Sequence, residues 1–171
     1  MVELGRTNLT VATWITLSRL LSIPIILGLL TWQDTSETRL VSTIVFGIAA
    51  ITDWLDGYIA RRWHQETNLG KVLDPLVDKL VILAPMMMLV ELGQLPAWGV
   101  FLILARELLI TLWRGGSGAG ASIWGKAKTI GQMIAVLALL LQIPYAIVLF
   151  WLALGLTIFS GWRYVFPVHQ S

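Results

Sequence analysis

The chain has no cysteine, which excludes disulfides, thiolate catalysis and cysteine-ligated metal and leaves the redox compartment open. Charge is scarce too: Asp, Glu, Lys and Arg make up 13% of the 171 residues, roughly half the share usual in a soluble domain. Histidine occurs only at His64 and His169, with no ligand spacing between them. No internal repeat is evident, and no hydrophilic stretch is long enough to form a second domain. Hydrophobic residues supply 57% of the chain, and the mean hydropathy is +0.78. The net charge of +2 matters less than where the cations lie. These features predict a polytopic membrane protein rather than a soluble domain.

A membrane-crossing helix needs roughly 20 mostly apolar residues. Six segments approach that: Val11–Thr31, Leu40–Ala60, Val72–Leu92, Ala97–Trp113, Ala127–Leu141 and Ala146–Trp162. The fifth is short, and a start nearer Ile123 would lengthen it. Polar or turn-rich connectors separate them at Gln33–Arg39, Arg61–Lys71, Gly93–Pro96, Gly115–Ser122 and Gln142–Tyr145. Arg6 ahead of an apolar run suggests a signal peptide, but Arg19 interrupts that run and no small-residue cleavage site follows, so the first span is expected to be retained. The expectation is an all-α protein, one domain over residues 1–171, with six transmembrane helices.

The loops set its orientation through their Lys/Arg bias. Arg6, Arg61, Arg62, Lys71, Arg114, Lys126, Lys128 and Arg163 cluster on one side, and the other side carries Arg39 alone. Both termini are therefore expected in the cytoplasm, with the protein in the cytoplasmic membrane. Trp14, Trp32, Trp63, Trp98, Trp113, Trp124 and Trp162 fall near span ends, as an interfacial belt requires, whereas Trp54 and Trp151 do not.

Within this apolar background, Asp53, Asp56, Asp74 and Asp78 stand out. Acids inside spans are costly and usually functional. Asp53 and Asp56 are three apart, Asp74 and Asp78 four apart, so each pair shares a helix face. A short connector joins the two spans, so the pairs can face each other near the cytoplasmic end. Four carboxylates together call for compensating cations, and an all-oxygen donor set favours Mg²⁺, Mn²⁺ or Ca²⁺. Two ions would suit displacement at phosphorus. Gly57 and Ala60 leave a shallow groove beside Asp56, and Arg61 at its end can grip a phosphate. Pro75 is expected in a helix's first turn, biasing Asp74 toward extended backbone. Blander readings exist: a lone aspartate can be a structural contact, two can form a proton or cation path, and Arg61 alone can be a positive-inside anchor.

The run D-x2-D-G-x2-A-R-x8-G-x3-D-x3-D from Asp53 to Asp78 resembles the CDP-alcohol phosphatidyltransferase family at every fixed position. Many relatives open the first span with Pro-Asn before Thr-x2-Arg; here Ala12-Thr13 replaces Pro-Asn, while Thr16 and Arg19 remain. The resemblance implies a six-span homodimer in which Asp53, Asp56, Asp74 and Asp78 ligate two Mg²⁺ or Mn²⁺ ions. Asp78 would also be the base toward the acceptor hydroxyl. Asp56, Gly57, Ala60, Arg61 and Thr67 would line the CDP group of CDP-diacylglycerol, with no role for nucleic acid.

The acceptor is read from the second half. Arg106-Glu107 lies inside the fourth span, Arg114 ends it, and Gly125-Lys126-Ala127-Lys128-Thr129 with Gln132 opens the fifth. This pattern resembles the branch of the family that uses glycerol 3-phosphate. Arg106, Arg114, Lys126 and Lys128 would bind the acceptor phosphate; ordinary inside-positive flanking is the alternative for the lysines. Arg106, a charge inside a span, needs a partner: Glu107, a substrate phosphate or the motif carboxylates. Glu107 could orient it, although adjacent helical residues pair with poor geometry. The Gly115–Ser122 connector reads as a flexible loop that could gate the site. Other readings are a relative with a different acceptor (forming cardiolipin or using inositol phosphate), or a membrane cation transporter.

Overall fold

A computed structural model describes the backbone of residues 11–63, 68–114 and 123–165, and the side chains of residues 19–52, 76–110 and 125–162. Six helices and no strand occur among the described residues: α1 (Val11–Trp32), α2 (Ser36–Trp63), α3 (Asn68–Glu91), α4 (Ala97–Arg114), α5 (Ile123–Leu140) and α6 (Ala146–Val165). Each corresponds to one of the six apolar segments.

The boundaries follow from local hydrogen bonding. The Thr38 hydroxyl accepts from the Thr35 amide at 3.0 Å, and the Thr35 hydroxyl accepts from the Thr38 amide at 3.3 Å. This reciprocal cap starts α2 at Ser36, four residues before the apolar run. At the end of α3, Gly93 adopts φ 70°; its amide donates to Val90 O at 2.9 Å and the Gln94 amide to Leu89 O at 2.8 Å. The same pair of bonds closes α5, where Gln142 takes φ 53° without being glycine.

Two expectations are corrected. The connector between α2 and α3 is shorter than Arg61–Lys71, because the helix-favouring Ala60, Arg61 and Arg62 continue α2 to Trp63, and α3 already begins at Asn68. Asp74 and Pro75 consequently lie in continuous helix, well past its first turn, and Asp74 is not extended. A proline at this position removes one backbone donor from the helix, and a proline ring in a helix crowds the carbonyl four residues back.

α1 packs against α2 and α3, α5 against α6, and α4 against α3 and α6. Ile26, Phe46, Met86, Leu89, Ile103 and Phe150 fill the interior. The interior also holds Arg19, Ser42, Lys128, Gln132, Thr157 and Ser160, while Leu21, Ile48, Ile51, Phe101, Leu109 and Leu152 lie exposed on the outside. Apolar surface outside and polar groups inside reverse the usual order of a water-soluble domain. Among the described residues, no helix is long and apolar enough to cross a membrane. Trp32, Trp98 and Trp162 are exposed near helix ends. Trp151, outside the expected belt, lies with its ring 5.2 Å from that of Trp98.

Candidate active site

The bundle gathers polar side chains at one end. From the first half of α1, Arg19 reaches α3, where its Nη1 donates to Asp78 Oδ1 at 2.5 Å. Arg19 is 4% exposed and Asp78 40%, so the carboxylate is partly exposed while its cationic partner is enclosed. The Ser22 hydroxyl donates back to the Arg19 carbonyl at 2.6 Å.

A second cluster joins α4, α5 and α6. Glu107 Oε1 accepts from Arg106 Nη1 at 3.1 Å and is also bonded to the Lys128 ammonium. Arg106 Nη2 donates to the Ser160 hydroxyl at 2.8 Å, and that hydroxyl donates to Thr157 O at 2.9 Å. Beneath them Gln132 Nε2 donates to the Thr157 hydroxyl at 2.8 Å. Lys79, next to Asp78 on α3, lies within electrostatic reach of Lys128 on α5. Gly161 makes room for the arginine, since a Cβ there would sit 3.1 Å from Arg106 Nε and 3.3 Å from its Cγ. That buried Nε has no hydrogen-bond partner among the described residues.

Of the partners open to Arg106 from the sequence, Glu107 is one that it meets, despite the poor geometry expected of adjacent helical residues. Ser160 draws the guanidinium toward α6 and Lys128 engages the carboxylate from α5, so tertiary partners hold both side chains where they meet. Lys126 and Lys128, proposed together from the sequence, separate. Lys128 is buried and Lys126 exposed, as expected for residues about 200° apart around a helix.

Asp53, Asp56, Gly57, Ala60 and Arg61 lie on α2, Asp74 on α3, and Arg114 ends α4; their side chains fall outside those described. Thr67 and the Gly115–Ser122 connector lie outside the described residues altogether. Among the described residues no three His, Cys, Asp or Glu side chains converge as a metal site would require.

The sequence model of CDP-alcohol phosphatidyltransferases matches residues 9–159, nearly the whole chain. The chain belongs to the CDP-alcohol phosphatidyltransferase family. Among similar relatives, the CDP-diacylglycerol–glycerol-3-phosphate 3-phosphatidyltransferase of Bacillus subtilis is 41% identical over 174 residues, covering 88% of this chain and 90% of its own. The proteins of the same name in Salmonella typhimurium and Escherichia coli are 36% and 34% identical, each covering 91% of this chain and 92% of its own.

In this phosphatidyltransferase, the aspartate motif occupies the C-terminal half of α2 and the N-terminal half of α3. The sequence named Glu107 as a possible partner of Arg106 but did not place Arg19, Ser160 or Gly161 at functional side chains. The available signal was a charged residue at matching depth in a neighbouring span: Arg19 as deep in α1 as Asp78 in α3.

Proposed function

We propose that the chain transfers the phosphatidyl group of CDP-diacylglycerol to glycerol 3-phosphate, forming phosphatidylglycerophosphate and releasing CMP. The unbroken Asp53–Asp78 motif carries this reading. It is supported by the similarity, over most of both chains, to relatives named for this transfer.

Asp53, Asp56, Asp74 and Asp78 would hold two Mg²⁺ or Mn²⁺ ions, which their all-oxygen donor chemistry fits. Bound there, the metal would neutralise charge on the phosphates. Asp78 takes the proton of the acceptor hydroxyl as its oxygen bonds to the phosphorus carrying diacylglycerol. The bond from that phosphorus to the CMP oxygen breaks, and CMP departs. Arg19 supports this role by holding Asp78 Oδ1 while the aspartate side chain remains 40% exposed. Asp56, Gly57, Ala60, Arg61 and Thr67 serve the CDP group.

Arg106 and Lys128 are proposed to bind the acceptor phosphate, with Lys126 and Arg114 flanking the same end. Their shared pairing with Glu107 offsets one of the two positive charges before a phosphate arrives, leaving a net positive site for it.

The outward apolar side chains and inward polar ones support six membrane-spanning helices with the site toward the cytoplasm. A homodimer would cover part of the apolar exterior.

Purified protein supplied with Mg²⁺, CDP-diacylglycerol and candidate acceptors should release CMP with glycerol 3-phosphate, and chelation should stop it. Turnover with inositol phosphate or phosphatidylglycerol and none with glycerol 3-phosphate would overturn the acceptor assignment.

A further inference from the structure

A groove of about 260 Å³ runs between α1 and α2, with Arg19, Ser22 and Ile25 on one wall and Val45, Ile48 and Thr52 on the other. We propose that it seats one acyl chain of the CDP-diacylglycerol donor, an assignment that rests on the transfer activity proposed above.

The first argument is continuity with the reacting end. Arg19 lines the groove and at the same time holds Asp78 at 2.5 Å. Thr52, at the same end of the opposite wall, immediately precedes Asp53. The groove then leads away from the aspartates, past Ile25 and Val45, toward the middle of the bundle. Six residues along α1 carry it about 9 Å at 1.5 Å per residue. A lipid whose phosphate lies at the motif has its chains pointing in that direction.

The second argument is the chemistry of the walls. The hydroxyl hydrogens are already committed: Ser22 donates to Arg19 O at 2.6 Å and Thr52 to Ile48 O at 2.8 Å. Neither hydroxyl proton is left to favour water over hydrocarbon, and apart from Arg19 at the reacting end the remaining lining is aliphatic. Ala49, 5% exposed, supplies a small floor, so the groove is not filled by its own side chains. Ile25 and Ile48 form an open rim, 49% and 60% exposed. A chain can therefore enter sideways from surrounding lipid, without threading.

Bulk lipid could also rest against an open groove, but it would not be tied to the reacting phosphate. Chain length in the donor separates the two. Initial rates of CMP release in detergent would be compared for CDP-dioleoylglycerol and a CDP-glycerol ester bearing two four-carbon chains. Ile48→Trp should raise the KM for the long-chain donor about tenfold, equivalent to losing the contacts of roughly two buried methylenes. The short-chain KM should stay within about twofold. Ile44→Trp, which places the same ring on an exposed site of α2 outside the groove, should affect neither. Equal effects on both donors, or the same effect from Ile44→Trp, would overturn the assignment.

A fold-independent check uses the unmodified protein with a mid-chain diazirine on CDP-diacylglycerol. Label mapped to the groove faces of α1 and α2 supports the proposal, and label confined to α4 or α6 overturns it. Absence of CMP release from any donor, with unmodified protein included, would instead remove the transfer activity and the assignment with it.

Discussion

Arg19 and Asp78, 59 residues apart in the chain, meet at 2.5 Å across the α1–α3 contact. The pair is asymmetric, with the arginine enclosed and the aspartate half open. Removing the aspartate takes an anionic partner from an enclosed cation; removing the arginine takes a cation from an anion that water can partly screen. A double-mutant cycle with Arg19→Met and Asp78→Asn, read by thermal unfolding in detergent, should give a coupling of about 1–2 kcal/mol. Asp78→Asn should be the more destabilising single change. Additive effects would mean that solvent compensates both groups.

The acceptor cluster makes a kinetic prediction. If Arg106 and Lys128 receive the acceptor phosphate, Lys128→Met should raise the KM for glycerol 3-phosphate by roughly 10- to 100-fold, the value of one charge-assisted contact. The KM for CDP-diacylglycerol should change little. Parallel increases for both substrates would remove the case for a dedicated acceptor pocket.

The six helices and the aspartate motif were legible because both depend on local spacing and composition. Contacts between helices were not. Arg19 carries no local mark of its partner; only the depth at which α1 and α3 pack brings it to Asp78. Glu107 was legible as a possible partner of Arg106, but the contacts that bring the two together, Lys128 from α5 and Ser160 from α6, carry no local mark. The start of α2 was missed because its cap is Thr-x-x-Thr, and the apolar run begins one turn later. Lys126 and Lys128 share a motif but not a helix face.

At the opposite end of the bundle, the buried Arg39 grips Asp34, donating through Nη2 at 2.7 Å and also through Nε, and its Nη1 reaches Gln94 at 3.2 Å. The hydrogen bond from Arg39 holds the Asp34 carboxyl below its ordinary range, against a smaller opposing effect of burial. A depressed carboxyl pKa contributes stability above the unfolded value of about 3.9 and loses it as pH falls through the folded value. The melting temperature should therefore decline below about pH 4. Asp34→Asn should lower it at neutral pH and flatten that acid limb. An unchanged acid limb in the variant would show that Asp34 does not contribute to it.

Two glycines separate positioning from bulk packing. At Gly161 a Cβ would press on Arg106, 3.1 Å from Nε and 3.3 Å from Cγ. At Gly99 it would lie 2.9 Å from Phe150 Cζ, in a wholly apolar contact between α4 and α6. Gly99→Ala forces a buried ring aside and should cost about 1–3 kcal/mol in unfolding, with both substrate KM values intact. Gly161→Ala presses on a long side chain that can give by a few tenths of an ångström, so its stability cost should be smaller. Its effect should appear instead in the KM for glycerol 3-phosphate, raised several-fold as Arg106 shifts against Ser160 and Glu107. Should Gly161→Ala change stability alone and leave that KM untouched, the placement of Arg106 would be structural rather than a requirement of acceptor binding.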